Sequence, residues 1–260
     1  MKGLERKEIL NTIFNTLQPL EFVYGMWECG SAAFNRLDMW SDIDIVINVE
    51  DEKTKEVFKY IDRELEMLAP IEYSLLSSQP LSPGAYQKAY KLKGVSRFLI
   101  IEICALKHSS SEKFLEKEIH NEVYIHFDKK NVCKIKPIDK DKFSRKLESR
   151  IENLESLFKI YQILIEKELN RENYIEAISF YQNFSLKPLL EVLRIKYKPF
   201  RYNFNTRYIY YDLPKDIVYK LKDFYFIKDN KDLKVKHEKI KEWFYVILEE
   251  LKDTKIKDLL

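Results

Sequence analysis

The sequence predicts an α+β protein in two parts, a sheet flanked by helices over residues 1–138 and an all-helical bundle over residues 139–260. Three observations lead there. Short apolar or alternating runs recur as far as Ile135, and from Pro137 onward they give way to long stripes of helical period. Only 5 glycines and 33% charged residues describe a compact, helix-rich chain, and 260 residues are ample to bury a core.

Taken in order, Leu4, Ile9 or Leu10, Ile13 and Leu17 fall at helical spacing, and Pro19 ends that first helix. Glu21 to Met26 and Asp42 to Val49 read as strands. In the second, side chains two apart share a face, so Asp42 and Asp44 project together while Ile43, Ile45 and Ile47 take the other side. Asp51 to Leu68 reads as a helix whose acidic opening suits the helix dipole. Glu72 to Leu76 is a strand, and Gln79 to Gly84 a turn by its prolines and glycine. Tyr86 to Leu92 and Arg97 to Ala105 form a hairpin bridged near Gly94, and Val123 to Phe127 with Val132 to Ile135 a last one. The bundle then follows. Phe143, Leu147, Ile151, Leu154, Phe158, Tyr161 and Ile165 trace its first stripe, and Tyr174 to Leu193 carry a second, bent or interrupted at Pro188. Pro214 opens a third helix, and Ile240 to Leu251 mark a fourth.

Composition excludes several classes. With 45 basic against 42 acidic residues the net charge is only +3, which disfavours nucleic acid as a partner. Cys29, Cys104 and Cys133 are odd in number, lack metal spacing, and read as reduced core thiols of a cytoplasmic protein. No apolar run reaches membrane-spanning length, so no membrane partner is expected. His108, His120, His126 and His237 lack ligand spacing and read as surface or internally satisfied residues. Neither a lysine-containing P-loop nor a Ser-His-Asp or Cys-His arrangement is present.

The chemistry gathers in Gly30 to Ile47. Two same-face carboxylates, Asp42 and Asp44, repel each other unless a cation sits between them, and such pairs hold hard divalent metal in phosphoryl and nucleotidyl transfer. Upstream, Gly30 permits a turn that other residues resist, Ser31 adds a hydroxyl, and Ala32 and Ala33 continue into a short helix whose first amides suit phosphate oxygens. The apolar strand around Ile101 carries one ionisable residue, Glu102. Either it has a partner inside the sheet, or the strand is an edge with Glu102 in solvent. Arg36 is a phosphate contact or a helix-surface arginine. Lys187, Arg194, Arg201 and Arg207 are contacts for substrate from the bundle or members of a solvated face.

Gly-Ser, a spacer of ten residues and then Asp-Ile-Asp on a strand resembles the signature of the nucleotidyltransferase superfamily typified by DNA polymerase beta. Within it, the chain is similar to the kanamycin- and lincosamide-type small-molecule nucleotidyltransferases and their uncharacterised prokaryotic relatives. The resemblance implies a mixed sheet domain followed by a helical bundle, with an acceptor bound between them. It implies Asp42 and Asp44 as ligands of Mg2+ or Mn2+, and Glu102 as a third carboxylate, metal ligand or base. Gly30 and Ser31 would bind the nucleoside triphosphate, ATP foremost, joined by Arg36 if its place in the spacer brings it to phosphate, and a nucleoside monophosphate would pass to a hydroxyl of a small molecule. An antitoxin-like transferase acting on a protein or RNA, or a non-catalytic nucleotide-binding relative, are the alternatives, and a homodimer is left open. The spacer departs from many relatives in having no second glycine near Leu37 or Asp38.

Overall fold

The computed structural model describes residues 4–77, 83–134 and 137–260, and the chain divides into two compact units, Met1–Pro137 and Ile138–Leu260. The first unit is built on a six-stranded mixed sheet. Its strands are β1 (Val23–Glu28), β2 (Ile43–Val49), β3 (Ile71–Leu76), β4 (Ala85–Leu92), β5 (Ile101–Lys107) and β6 (Tyr124–Asp128), in the order β3-β4-β5-β2-β1-β6. β2 and β5 run parallel and the other neighbours antiparallel.

Helices α1 (Arg6–Leu17) and α3 (Val57–Leu68) cover one face, placing Ile9, Ile13, Leu17, Phe58, Ile61 and Leu65 on Ile43, Ile45, Ile47, Ile101 and Ile103. Removing this apolar surface from water is the main force that fixes strand register, because a slip by one residue would turn the isoleucines out and the carboxylates in. The opposite face is more thinly covered by Tyr24, Trp27, Val46, Cys104, Leu106, Leu115 and Val132. Gly25 is required there, since a Cβ would lie 2.7 Å from the Val132 side chain.

Several expected elements change shape. The helix expected over Asp51 to Leu68 starts as a 3-10 turn, Asp51–Lys53, before α3. β5 begins at Ile101, not Arg97, because Leu99 N–H closes a turn onto Ser96 O. The last hairpin is absent as far as it is described: β6 pairs with β1, and Val132 and Cys133 lie in a turn whose N–H groups both donate to the Asp128 carboxylate. Ile135 and most of the Gln79 to Gly84 turn lie outside the described residues. A single-turn helix, α4 (Lys117–His120), precedes β6.

The second unit is helical. α5 (Lys140–Asn170) starts at Asp139, whose carboxylate accepts from Lys142 N–H. α6 (Tyr174–Tyr181) passes through a π-helical stretch, Gln182–Leu186, into α7 (Lys187–Tyr197). Pro188 explains the widened turn, since it lacks an N–H and its ring disfavours the regular approach to Phe184 O four residues earlier. Gln162 of α5 donates to that freed carbonyl at 2.9 Å and accepts from Ser185 Oγ at 2.7 Å. α8 (Ile209–Asp212), α9 (Lys215–Tyr225) and α10 (Asn230–Lys252) complete the unit, with Phe158 stacked on Phe244 at 3.7 Å in its core. Among the described residues no helix is long and apolar enough to cross a membrane.

Candidate active site

The parallel pairing of β2 with β5 puts Asp44 directly beside Glu102. Both are half-buried, on the face that also carries Val46 and Cys104. β5 lies between β4 and β2, so the edge-strand reading of Glu102 is overturned. Its carboxylate accepts from the Gln87 amide at 2.9 Å, a neutral partner that leaves the negative charge in place.

Asp42 stands one residue before β2, and its Oδ1 accepts from Ile100 N–H at 3.0 Å while Ile43 N–H donates back to Ile100 O. This pair of bonds aligns the starts of β2 and β5. Among the described residues, the one His, Cys, Asp or Glu trio whose ligand atoms all lie within 4.8 Å is in the helical unit, so Asp42, Asp44 and Glu102 do not converge to that span.

Gly30 packs against the Asp44 carboxylate. A Cβ there would fall 1.8 Å from Asp44 Oδ2, and its φ of +59° lies in the left-handed region that favours glycine. Glycine is therefore needed twice over, for the backbone and for the space in front of Asp44. The expected short helix is one turn, α2 (Gly30–Ala33), whose first bond is Ala33 N–H to Cys29 O. A helix this short contributes little dipole, and what it offers an anion is the preceding N–H groups of Gly30, Ser31 and Ala32. Ser31 is half-buried and its carbonyl accepts from Arg36 N–H. Arg36 lies after this turn and not on a helix, with its guanidinium 5.2 Å from the Phe34 ring. The thiol of Cys29 is pushed up to about 12, by burial first and then by the Asp44 carboxylate, which rules it out as a thiolate nucleophile near neutral pH.

Three features were missed in the sequence. Glu28 is buried at the end of β1, in register with Ile45 and hence on the face away from Asp44. It is held by Arg6 and by His126 Nε2 at 3.1 Å. Burial pulls the Glu28 carboxyl upward, yet these hydrogen bonds and the Arg6 charge hold it below its ordinary value. Arg6, on the first turn of α1, also donates to Asp42 O, so it ties α1 to the start of β2. The same test that singled out Glu102, one ionisable residue in an apolar strand, also singles out Glu28. The third feature is an exposed aromatic pair beside Asp42. Asp38 and Ser41 close a small turn that presents Met39 and Trp40 outward, and Trp40 meets Phe98 edge to face at 4.6 Å.

The bundle cations expected to contact substrate or solvent do neither at two positions. Arg194 and Arg201 are buried and share Asp212, at 3.0 and 2.9 Å. Lys187 and Arg207 are exposed.

The carboxylates, all hard oxygen donors, fit a Mg2+-class ion by chemistry. Such ions take one or two protein carboxylates and draw their other ligands from substrate phosphates and water, a need that Asp44 and Glu102 side by side meet without Asp42. No protein-family model matches the chain, and a search of curated proteins finds no match.

Proposed function

We propose that the protein is a divalent-metal-dependent nucleotidyltransferase, moving a nucleoside monophosphate from a triphosphate, ATP foremost, to a hydroxyl of a small-molecule acceptor. The observation that carries this reading is the pairing of Asp44 with Glu102 behind a glycine with room for nothing larger. Asp44 and Glu102 would hold Mg2+ or Mn2+, which would supply positive charge against the triphosphate, with Asp42 at the start of the strand that carries Asp44. The N–H groups of Gly30, Ser31 and Ala32 meet phosphate oxygens, and Arg36 adds charge from the following loop. Glu102 takes the proton from the acceptor hydroxyl as that oxygen bonds to the α-phosphorus and the bond to the departing pyrophosphate breaks. Trp40 and Phe98, exposed and set edge to face, offer an aromatic ring face to a planar part of either substrate.

Calorimetry with ATP, with and without Mg2+, tests the reading on the intact chain. Magnesium should strengthen nucleotide binding in the wild type and have no such effect in the Asp42→Asn, Asp44→Asn double variant. Equal affinity in both proteins would remove the assignment. Transfer of α-labelled phosphate to one member of a panel of aminoglycosides, lincosamides, proteins and RNA then names the acceptor class.

A further inference from the structure

His237, on the second turn of α10, is 1% exposed, and neither of its ring nitrogens has a hydrogen-bond partner. A buried polar group in that state is costly and demands an explanation. Its Nε2 points at Glu166 of α5, 3.8 Å from Oε1, and its neighbour Glu238 completes a trio whose ligand atoms all lie within 4.8 Å. A separation of 3.8 Å is too long for a hydrogen bond. It suits two ligands of one ion, since metal bonds of about 2.1 Å allow donors up to about 4.2 Å apart.

We propose that Glu166, His237 and Glu238 form a binding site for a borderline divalent cation of the Zn2+ class, which clamps α5 to α10. The imidazole nitrogen selects this class over Mg2+, whose preference is for oxygen alone. An uncharged imidazole keeps a lone pair for a metal, and neither ring nitrogen of His237 is engaged by a hydrogen bond. Glu166 and Glu238 are 44% and 61% exposed, which provides both an entry route and the freedom to close the remaining gap.

Lys241 acts as the resident counter-ion. Its ammonium lies 2.8 Å from Glu166 Oε1 and 3.0 Å from Glu238 Oε2, between the two carboxylates a cation would take. Its stem is long and a quarter exposed, so it can swing into water when a divalent ion arrives. The competition makes the site weaker than its ligands alone would give.

The test uses chelator-treated full-length protein, titrated with Zn2+ in excess Mg2+ so that the carboxylates of the sheet unit are masked. One Zn2+ per chain should bind and raise the thermal midpoint. Loss of an outer-shell partner already costs about tenfold to hundredfold in metal affinity. His237→Gln and Glu166→Gln, which remove ligands, should lose at least that much, while Lys241→Met should bind more tightly than wild type. Co2+ should give visible absorption that disappears in His237→Gln. Glu166→Gln lies at a half-exposed position and keeps the readout usable should the buried His237 variant fold poorly. Absence of saturable Zn2+ binding in both wild type and Lys241→Met would overturn the proposal, as would binding undiminished in Glu166→Gln.

Discussion

In the helical unit a single carboxylate, Asp212, is buried between two guanidiniums, whereas in the sheet unit Asp44 and Glu102 stand side by side with the same charge. Asp212 is 1% exposed, and Arg194 beside it, at 0%, also donates to Asn205 O and Arg207 O. Each charge there has a partner of opposite sign or a carbonyl, which is the condition for leaving charges out of water. The cluster fastens the aromatic-rich loop that joins α7 to α8 and performs a structural task. Glu102 accepts from the neutral Gln87 amide, and Gly30 packs against the Asp44 carboxylate, where a Cβ would fall 1.8 Å from Oδ2. Like charges set side by side repel each other, and a cation held between them would relieve that cost. Charge buried against its own partners marks scaffold, and like charges set side by side mark the candidate site.

Asp212→Asn would break that contrast most forcibly. It leaves two buried guanidiniums with too little negative charge, a loss of about 3–5 kcal/mol by the usual cost of breaking a buried pair. Urea denaturation should show a large drop in midpoint for the transition that reports the helical unit. A change below about 1 kcal/mol would mean that the arginines reach water and that the cluster is not the fastening inferred here.

Glu102→Gln tests the other side. The amide keeps the shape and an oxygen for Gln87 to donate to, while removing one of two like charges. Thermal stability should hold or rise, and turnover on whichever acceptor is found should fall roughly a hundredfold or more, the scale of a lost base. Loss of stability with turnover intact would make Glu102 scaffold, like Asp212.

Where local pattern decides structure, the sequence was readable. The alternation over Asp42 to Val49 shows which face carries the carboxylates, and the stripe from Phe143 to Ile165 shows α5, because periods of two and of 3.6 are set by backbone geometry alone. Pairings between distant segments were not. That β5 is interior and adjoins β2 in parallel is what brings Glu102 to Asp44, and nothing within either strand encodes the partner. Arg194 looked like a surface cation because its neutraliser, Asp212, is 18 residues away. His237 looked satisfied because burial without a partner is a property of the packed unit and not of its neighbours in sequence. Val132 to Ile135 reads as a strand by its apolar run, but the Asp128 carboxylate takes the N–H groups of Val132 and Cys133 that a strand partner would need.

Glu28 sharpens the comparison with the smallest effect, since it is a buried carboxylate within the sheet unit that is nevertheless self-satisfied. Burial raises its carboxyl, but His126 and Arg6 outweigh burial and leave the folded-state pKa below the ordinary 4.5. A depressed folded pKa means that the unfolded chain binds the proton more readily. The stabilisation is therefore complete above about pH 4.5 and is lost as pH falls through the folded value. Glu28→Gln should cost about 2 kcal/mol at pH 7, the scale of charge-assisted hydrogen bonds, and flatten the stability profile below pH 4.5. Because Arg6 also donates to Asp42 O, the same variant should loosen α1 from the start of β2 and raise amide exchange at Ile43. An acid profile identical to wild type would show that Glu28 gains nothing from its partners, and the rule that self-satisfied charge marks scaffold would then fail within the sheet unit itself.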